Sequence, residues 1–242
     1  MKEFLKNIIR QTLIKLQLPI TQNIRYDILT EKILSNVLHS DSNCIDIGAH
    51  KGEILSRLLK HSPTAKHIAF EPIPYLFEGL KSKFGNKAVI YPFALSDHAG
   101  VTEFNLVLDD PAYSGLKKRK YKTDKPSIQT IQVVVKTLDE LIPADSKKID
   151  LIKIDVEGGE FDVLKGAEKL LLRDKPLLIF ECGKGASEYY GAEPGELFQY
   201  LQMLDYKIFT LNSFYKKEPP LGLAEFKLIF EEGSDYYFVG VV

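Results

Sequence analysis

The chain has 242 residues, 45% hydrophobic and 27% charged, with a formal net charge of -1. That length supports one sizeable core, or one domain with a small appendage. The balanced charge leaves no global field to draw in nucleic acid, and no apolar run reaches the roughly 20 residues of a membrane span, so neither a nucleic-acid partner nor a transmembrane segment is expected.

In the N-terminal stretch Phe4, Leu5, Ile8, Ile9, Leu13 and Leu16 recur at helical spacing, interrupted by Lys6, Arg10 and Lys15. Residues 1–22 are read as an amphipathic helix ahead of a domain over 23–242. Packing on that domain or on a neighbouring subunit is the ordinary use of such a helix; peripheral contact with a membrane is the alternative. A second helix is expected from Asp27 to Leu38. Strand and helix signals then alternate: strand Cys44–Ile47, helix Glu53–His61, strand His67–Phe70, helix Tyr75–Phe84, strand Ala88–Phe93.

An insertion, about 97–136, breaks the rhythm with strands at Val101–Leu108 and Ile128–Val135 around a polar loop. Thr137-Leu138-Asp139-Glu140 reads as a capping box. The series resumes with strand Ile149–Ile154, helix Phe161–Leu172, strand Leu177–Cys182, a helix around Pro194–Leu204, and strands at Tyr206–Thr210 and Tyr236–Val242. This order predicts an α/β fold with a doubly wound, mostly parallel sheet covered on both faces. The cysteines, Cys44 and Cys182, fall in strand-like runs and are expected as buried thiols, which suits a cytoplasmic setting.

In such a sheet ligands sit at the carboxyl ends of the strands, so the residues after each strand carry the functional information. The first strand ends in Asp46-Ile47-Gly48-Ala49-His50-Lys51-Gly52. Gly48 lets backbone approach a ligand, and Gly52 does the same or lets a helix approach the sheet. The spacing is not G-x-G-x-x-G, so the dinucleotide fingerprint is missing. Glu71, at the second strand end before Pro72, can accept bonds from ribose hydroxyls. Ala94, Leu95 and Ser96 offer a small, apolar seat for an adenine, with Ser96 or Asp97 in reach of its amine. The fourth strand ends in Asp155-Val156-Glu157-Gly158-Gly159-Glu160, and the fifth adds Glu181. Glu160 reads as a helix cap; Asp155, Glu157 and Glu181 are the candidate bases. Tyr113 and Ser114, in the insertion, are candidate acceptor contacts, and the long loop is expected to form a mobile flap. Its basic run Lys117–Lys122 reads as a solvated face rather than an anion site. His39, His61, His67 and His98 read as surface residues without metal spacing. No metal is assigned, although clustered acids leave a divalent cation as the alternative.

The run CIDIGAHKGE, the pair Glu71-Pro72, the segments FALSD and VKTLDEL, and above all IDLIKIDVEGGEFDVLKGA resemble the FkbM-type methyltransferases, in the right order over about Asn23–Leu211. That family's first motif usually has asparagine where this chain has His50. The resemblance implies a class I methyltransferase (Rossmann-like) fold: a doubly wound, mostly parallel seven-stranded sheet with a C-terminal antiparallel pair, for which Tyr206–Thr210 and Tyr236–Val242 are suitable strands. It also implies S-adenosylmethionine as donor and a hydroxyl acceptor on a sugar, glycan or small hydroxylated metabolite. The donor would be bound by Asp46, Gly48, Ala49, His50, Gly52, Glu71, Pro72, Ala94, Leu95 and Ser96. The competing readings are a nucleotide-sugar or NAD-dependent oxidoreductase and a cofactor-binding protein without catalysis. The sequence does not speak to oligomeric state.

Overall fold

The computed structural model describes residues 10, 12–14 and 16–242. Among these residues the strands are, in chain order, β1 (Cys44–Ile47), β2 (His67–Phe70), β3 (Ala88–Tyr91), β4 (Phe93–Leu95), β5 (Gly100–Val107), β6 (Ile128–Lys136), β7 (Leu151–Ile154), β8 (Leu177–Glu181), β9 (Lys207–Thr210) and β10 (Tyr237–Val241). Seven of them form one sheet in the order β3-β2-β1-β7-β8-β10-β9. β1, β2, β3, β7 and β8 run parallel; β10 runs antiparallel between β8 and β9. The expected fold class is the one found. The order reverses between β1 and β7, and that is where a crevice opens at the carboxyl ends.

The central strands are buried on both faces, as a sheet covered by helices requires. Helices Glu160–Lys165, Glu168–Asp174, Pro194–Met203 and Leu223–Glu232 cover one face around Leu164, Leu171, Leu201 and Phe226. Helix Gln22–Val37 covers the other, setting Ile33 and Leu34 against Leu58, Leu151 and Val239. Two charges enter this core: Lys153 of β7 stands beside Asp46 of β1 in register. A buried charge is tolerable when an opposite charge meets it there.

Several expectations need correction. The expected strand Ala88–Phe93 is two strands. Pro92, which has no N–H to donate, separates β3 from β4, and β4 leaves the main sheet to pair with β6 in a second sheet, β4-β6-β5. The expected helix Phe161–Leu172 breaks at Gly166, where the carbonyl of Ser96 occupies the place of a Cβ. Helices Leu211–Tyr215 and Leu223–Glu232 were not anticipated. His67 is not on the surface: it is fully buried, with Nε2 against the carbonyl of Ser62 at 2.9 Å. The N-terminal helix falls mostly on residues outside those described, Phe4, Leu5, Ile8 and Ile9 included. Both cysteines are buried and free. Among the described residues no helix is long and apolar enough to cross a membrane.

Candidate functional site

The carboxyl ends of β1, β2, β7 and β8 open into a cavity of about 1190 Å³. That exceeds the roughly 300–1,000 Å³ of a cleft for one small ligand, so it has room for two. From β1 its lining takes Asp46, Gly48, Ala49 and His50; from β2, Glu71 and Pro72; from β4 and its end, Ala94, Leu95 and Ser96. Asp155, Glu157 and Glu181 line it from β7 and β8, and Tyr113 and Ser114 from the insertion. Gly52 is the exception. A Cβ there would meet Phe84 at 2.5 Å and Leu80 at 2.7 Å, so this glycine serves the contact between two helices.

The turn after β1 is built by close approaches. The N–H groups of Gly48 and Ala49 both donate to the carbonyl of Phe70, pinning the turn to β2. Gly48 has φ +76°, and a Cβ on it would overlap the carbonyl oxygen of Asp155. His50 has φ +47°, a left-handed conformation that asparagine and histidine tolerate better than most residues. Its N–H donates to Glu71 Oε2 at 2.8 Å, and the N–H of Ile73 donates to Oε1 at 2.9 Å. Burial pushes the Glu71 carboxyl up to about 7 against the pull of those two donors. Asp46 is fully buried with neither carboxylate oxygen hydrogen-bonded, and His50 Nε2 is likewise buried without a partner. Burial also keeps the imidazole below its usual range and therefore neutral. A buried ring nitrogen without a hydrogen bond and a buried carboxylate with spare acceptor capacity, beside a glycine cradle, fit a polar, nucleoside-bearing ligand such as S-adenosylmethionine.

Opposite this turn the acids converge. Lys153 Nζ lies 3.1 Å from Asp155 Oδ2 and 3.8 Å from Asp46 Oδ1. The Tyr237 hydroxyl donates to the same Asp155 oxygen from β10, and Glu181 is within hydrogen-bonding reach of Asp155. Burial works against the Asp155 charge, but Lys153, Tyr237 and Glu181 together hold its carboxyl below the usual range. Burial and the neighbouring Asp155 and Glu160 push Glu181 well above it. Glu157, at φ +62°, pairs with Arg119 of the insertion. Carboxylate oxygens of Asp155, Glu157 and Glu181 lie within 4.8 Å of one another, close enough for a divalent cation. The Lys153 ammonium and Arg119 guanidinium already offset their charge, so we assign no metal to them. Glu160 does not face the cavity; its Oε1 accepts from the N–H groups of Val156 and Gly158 and shapes the loop.

The insertion closes one side. Ser114 is buried and its Oγ accepts from the N–H of Val107 at 2.9 Å. The Tyr113 ring carries the Arg119 guanidinium 4.8 Å and the Lys122 ammonium 4.5 Å from its centroid. The Lys120 N–H donates to the carbonyl of Gly185 at 3.0 Å and the Lys117 N–H to the Tyr190 hydroxyl at 3.2 Å. Lys117, Lys118 and Lys120 are exposed as expected, but Arg119 turns inward. Lys153, Arg119 and Tyr237 escaped the sequence reading. A lysine inside an apolar strand, opposite Asp46, was a usable signal. Tyr237 had none, because nothing local says that β10 inserts beside β8.

A family model described as the methyltransferase FkbM domain matches residues 46–208. A solved structure of methyltransferase FkbM from Methylobacillus flagellatus KT superposes with a TM-score of 0.52 at 15% identity, over 99% of this chain and 60% of that one. The AMB antimetabolite synthetase AmbE of Pseudomonas aeruginosa is 23% identical over 199 residues, 66% of this chain and 9% of AmbE. The chain therefore spans less than two-thirds of the length of either relative.

Proposed function

The chain belongs to the FkbM methyltransferase family, and on that premise we propose that it methylates a hydroxyl of a sugar, glycan or small hydroxylated metabolite, using Asp155 with Glu181 as the proton-accepting pair. The observation that carries this reading is the meeting of the two halves of the cavity. The Gly48 turn lies directly against the Asp155 backbone, and Asp155 is where Lys153, Tyr237 and Glu181 converge.

S-adenosylmethionine is the donor, and it supplies a methyl group made electrophilic by its positive sulfonium. Gly48 and Ala49 give it close backbone approach, Glu71 accepts its ribose hydroxyls, and Ala94, Leu95 and Ser96 seat its adenine. His50 carries a buried ring nitrogen without a hydrogen-bond partner, and Asp46, held by Lys153 at 3.8 Å, keeps acceptor capacity for its polar groups. On the other side the cavity orients the acceptor hydroxyl, and orientation is worth roughly 7–11 kcal/mol at best. Asp155 takes the hydroxyl proton, a contribution of roughly 10²–10⁴-fold. Tyr190 and Tyr236 line the same cavity and offer apolar ring surface with polar edges, which suits a sugar ring, while Tyr113 lines it with its ring engaged by Arg119 and Lys122.

In this reading 23–242 is one methyltransferase domain, with the insertion 97–136 as the acceptor-side wall. Two free, buried thiols suit a cytoplasmic setting. The test is transfer of labelled methyl from S-adenosylmethionine to fractionated cell-surface glycans and to a panel of hydroxylated metabolites. Label on a hydroxyl oxygen supports the reading; label confined to nitrogen or carbon products overturns it.

A further inference from the structure

We propose that Tyr237 is a positioning residue of this site: its hydroxyl fixes Asp155 as the ionised member of the carboxyl pair and leaves the proton on Glu181. This deepens the reading of Asp155 and Glu181 as the proton-accepting pair and rests on it.

The fold makes the contact. β10 pairs antiparallel with β8 so that Tyr237 stands directly opposite Glu181. The phenol extends past β8 to Asp155, just after β7. Tyr237 and Lys153 converge on one atom, Asp155 Oδ2. A carboxylate that accepts two donors is held in its charged form, and a second carboxyl beside it then retains its proton. Among the other facing groups, Glu160 from the helix after β7 disfavours a second ionisation at Glu181, while Asp46 from β1 faces Lys153 and Asp155. His50, in the turn after β1, is neutral. Arg119 pulls Glu181 the other way, more weakly than Asp155 or Glu160 pushes it, and its guanidinium is paired with Glu157. Burial and Asp155 keep the proton on the Tyr237 phenol, so it acts as a donor.

The ring is held independently of its hydroxyl. Tyr26 packs against it with centroids 5.2 Å apart, and Tyr236 at 5.7 Å. Tyr237→Phe therefore removes one donor while keeping the packing.

The experiment is carboxyl ¹³C NMR of the full chain labelled in aspartate and glutamate, with Asp155 and Glu181 assigned from Asp155→Asn and Glu181→Gln. In the wild type the Asp155 signal is a carboxylate at pH 7 and the Glu181 signal a protonated carboxyl. In Tyr237→Phe the proton affinity of Asp155 rises roughly tenfold, the effect of one hydrogen bond to a charged group. Affinity for S-adenosylhomocysteine stays at the wild-type value. Should that variant not fold, 3-fluorotyrosine at position 237, a stronger donor, lowers the proton affinity of Asp155. Identical Asp155 titrations in wild type and variant, or a protonated Asp155 beside an ionised Glu181, overturn the proposal. The parent reading fails separately: normal turnover by Asp155→Asn would remove the base and leave these titrations as they are.

Discussion

A side chain on Gly48 would overlap the backbone carbonyl of Asp155. The turn at the end of β1 and the acid-bearing loop at the end of β7 are thus in direct contact, and the donor and acceptor halves of the cavity cannot be set independently.

Gly48→Ala and Gly52→Ala are expected to separate ligand binding from packing. Both positions have φ +76°, so both variants are strained and should lose stability, by more than about 1 kcal/mol each. Gly52→Ala presses on Phe84 and Leu80 and does not line the cavity. Its folded fraction should bind S-adenosylhomocysteine as the wild type does. Gly48→Ala should lose that binding. Calorimetry alongside thermal melts distinguishes the two, and equal binding by both variants would remove Gly48 from the donor site.

Glu71 should make donor binding depend on pH. Its carboxyl is pushed up to about 7 by burial, and the ionised form is the better acceptor for ribose hydroxyls. Affinity for S-adenosylhomocysteine should therefore rise as pH passes upward through about 7, and Glu71→Ala should weaken it by about 1.5 kcal/mol. Stability without ligand runs the other way. The folded carboxyl binds its proton more tightly than the unfolded one, so the contribution is complete below the ordinary carboxylate pKa and is lost as pH rises through about 7. Glu160 behaves similarly, so the comparison is made against Glu71→Gln, which should flatten only its own share.

Arg119 should anchor the insertion. Its guanidinium pairs with Glu157 and covers the Tyr113 ring. In Arg119→Ala, hydrogen exchange across residues 109–127 should quicken while S-adenosylhomocysteine affinity holds. Unchanged protection would show that the backbone bonds of Lys117 and Lys120 suffice.

Most of the fold was legible because its signals are local. β1, β2 and the helix Glu53–His61 fall on the residues expected, each bounded by a glycine, a proline or a cap. Half of the capping box is as read: Thr137 Oγ1 accepts from the N–H of Glu140 at 3.2 Å, while the Glu140 carboxylate pairs with Lys136 at 2.6 Å. Helix Leu223–Glu232 has its own local signal, a stripe of Leu223, Phe226 and Phe230 with Gly233 as its stop. The departure of β4 to a second sheet was not readable, since strand partners are chosen by tertiary contacts. The candidate site shows the same division. Strand-end residues were found from the sheet rule, whereas Tyr237 and Arg119 reach the cavity only through long-range packing.

The most direct test of the account is the single-turnover rate of Asp155→Asn with labelled S-adenosylmethionine and an acceptor hydroxyl that the wild type methylates, with S-adenosylhomocysteine affinity measured in parallel. The account predicts a fall of roughly 10²–10⁴-fold in rate, no effect of chelator, and donor affinity within about threefold of wild type. Near-normal turnover in that variant would contradict it.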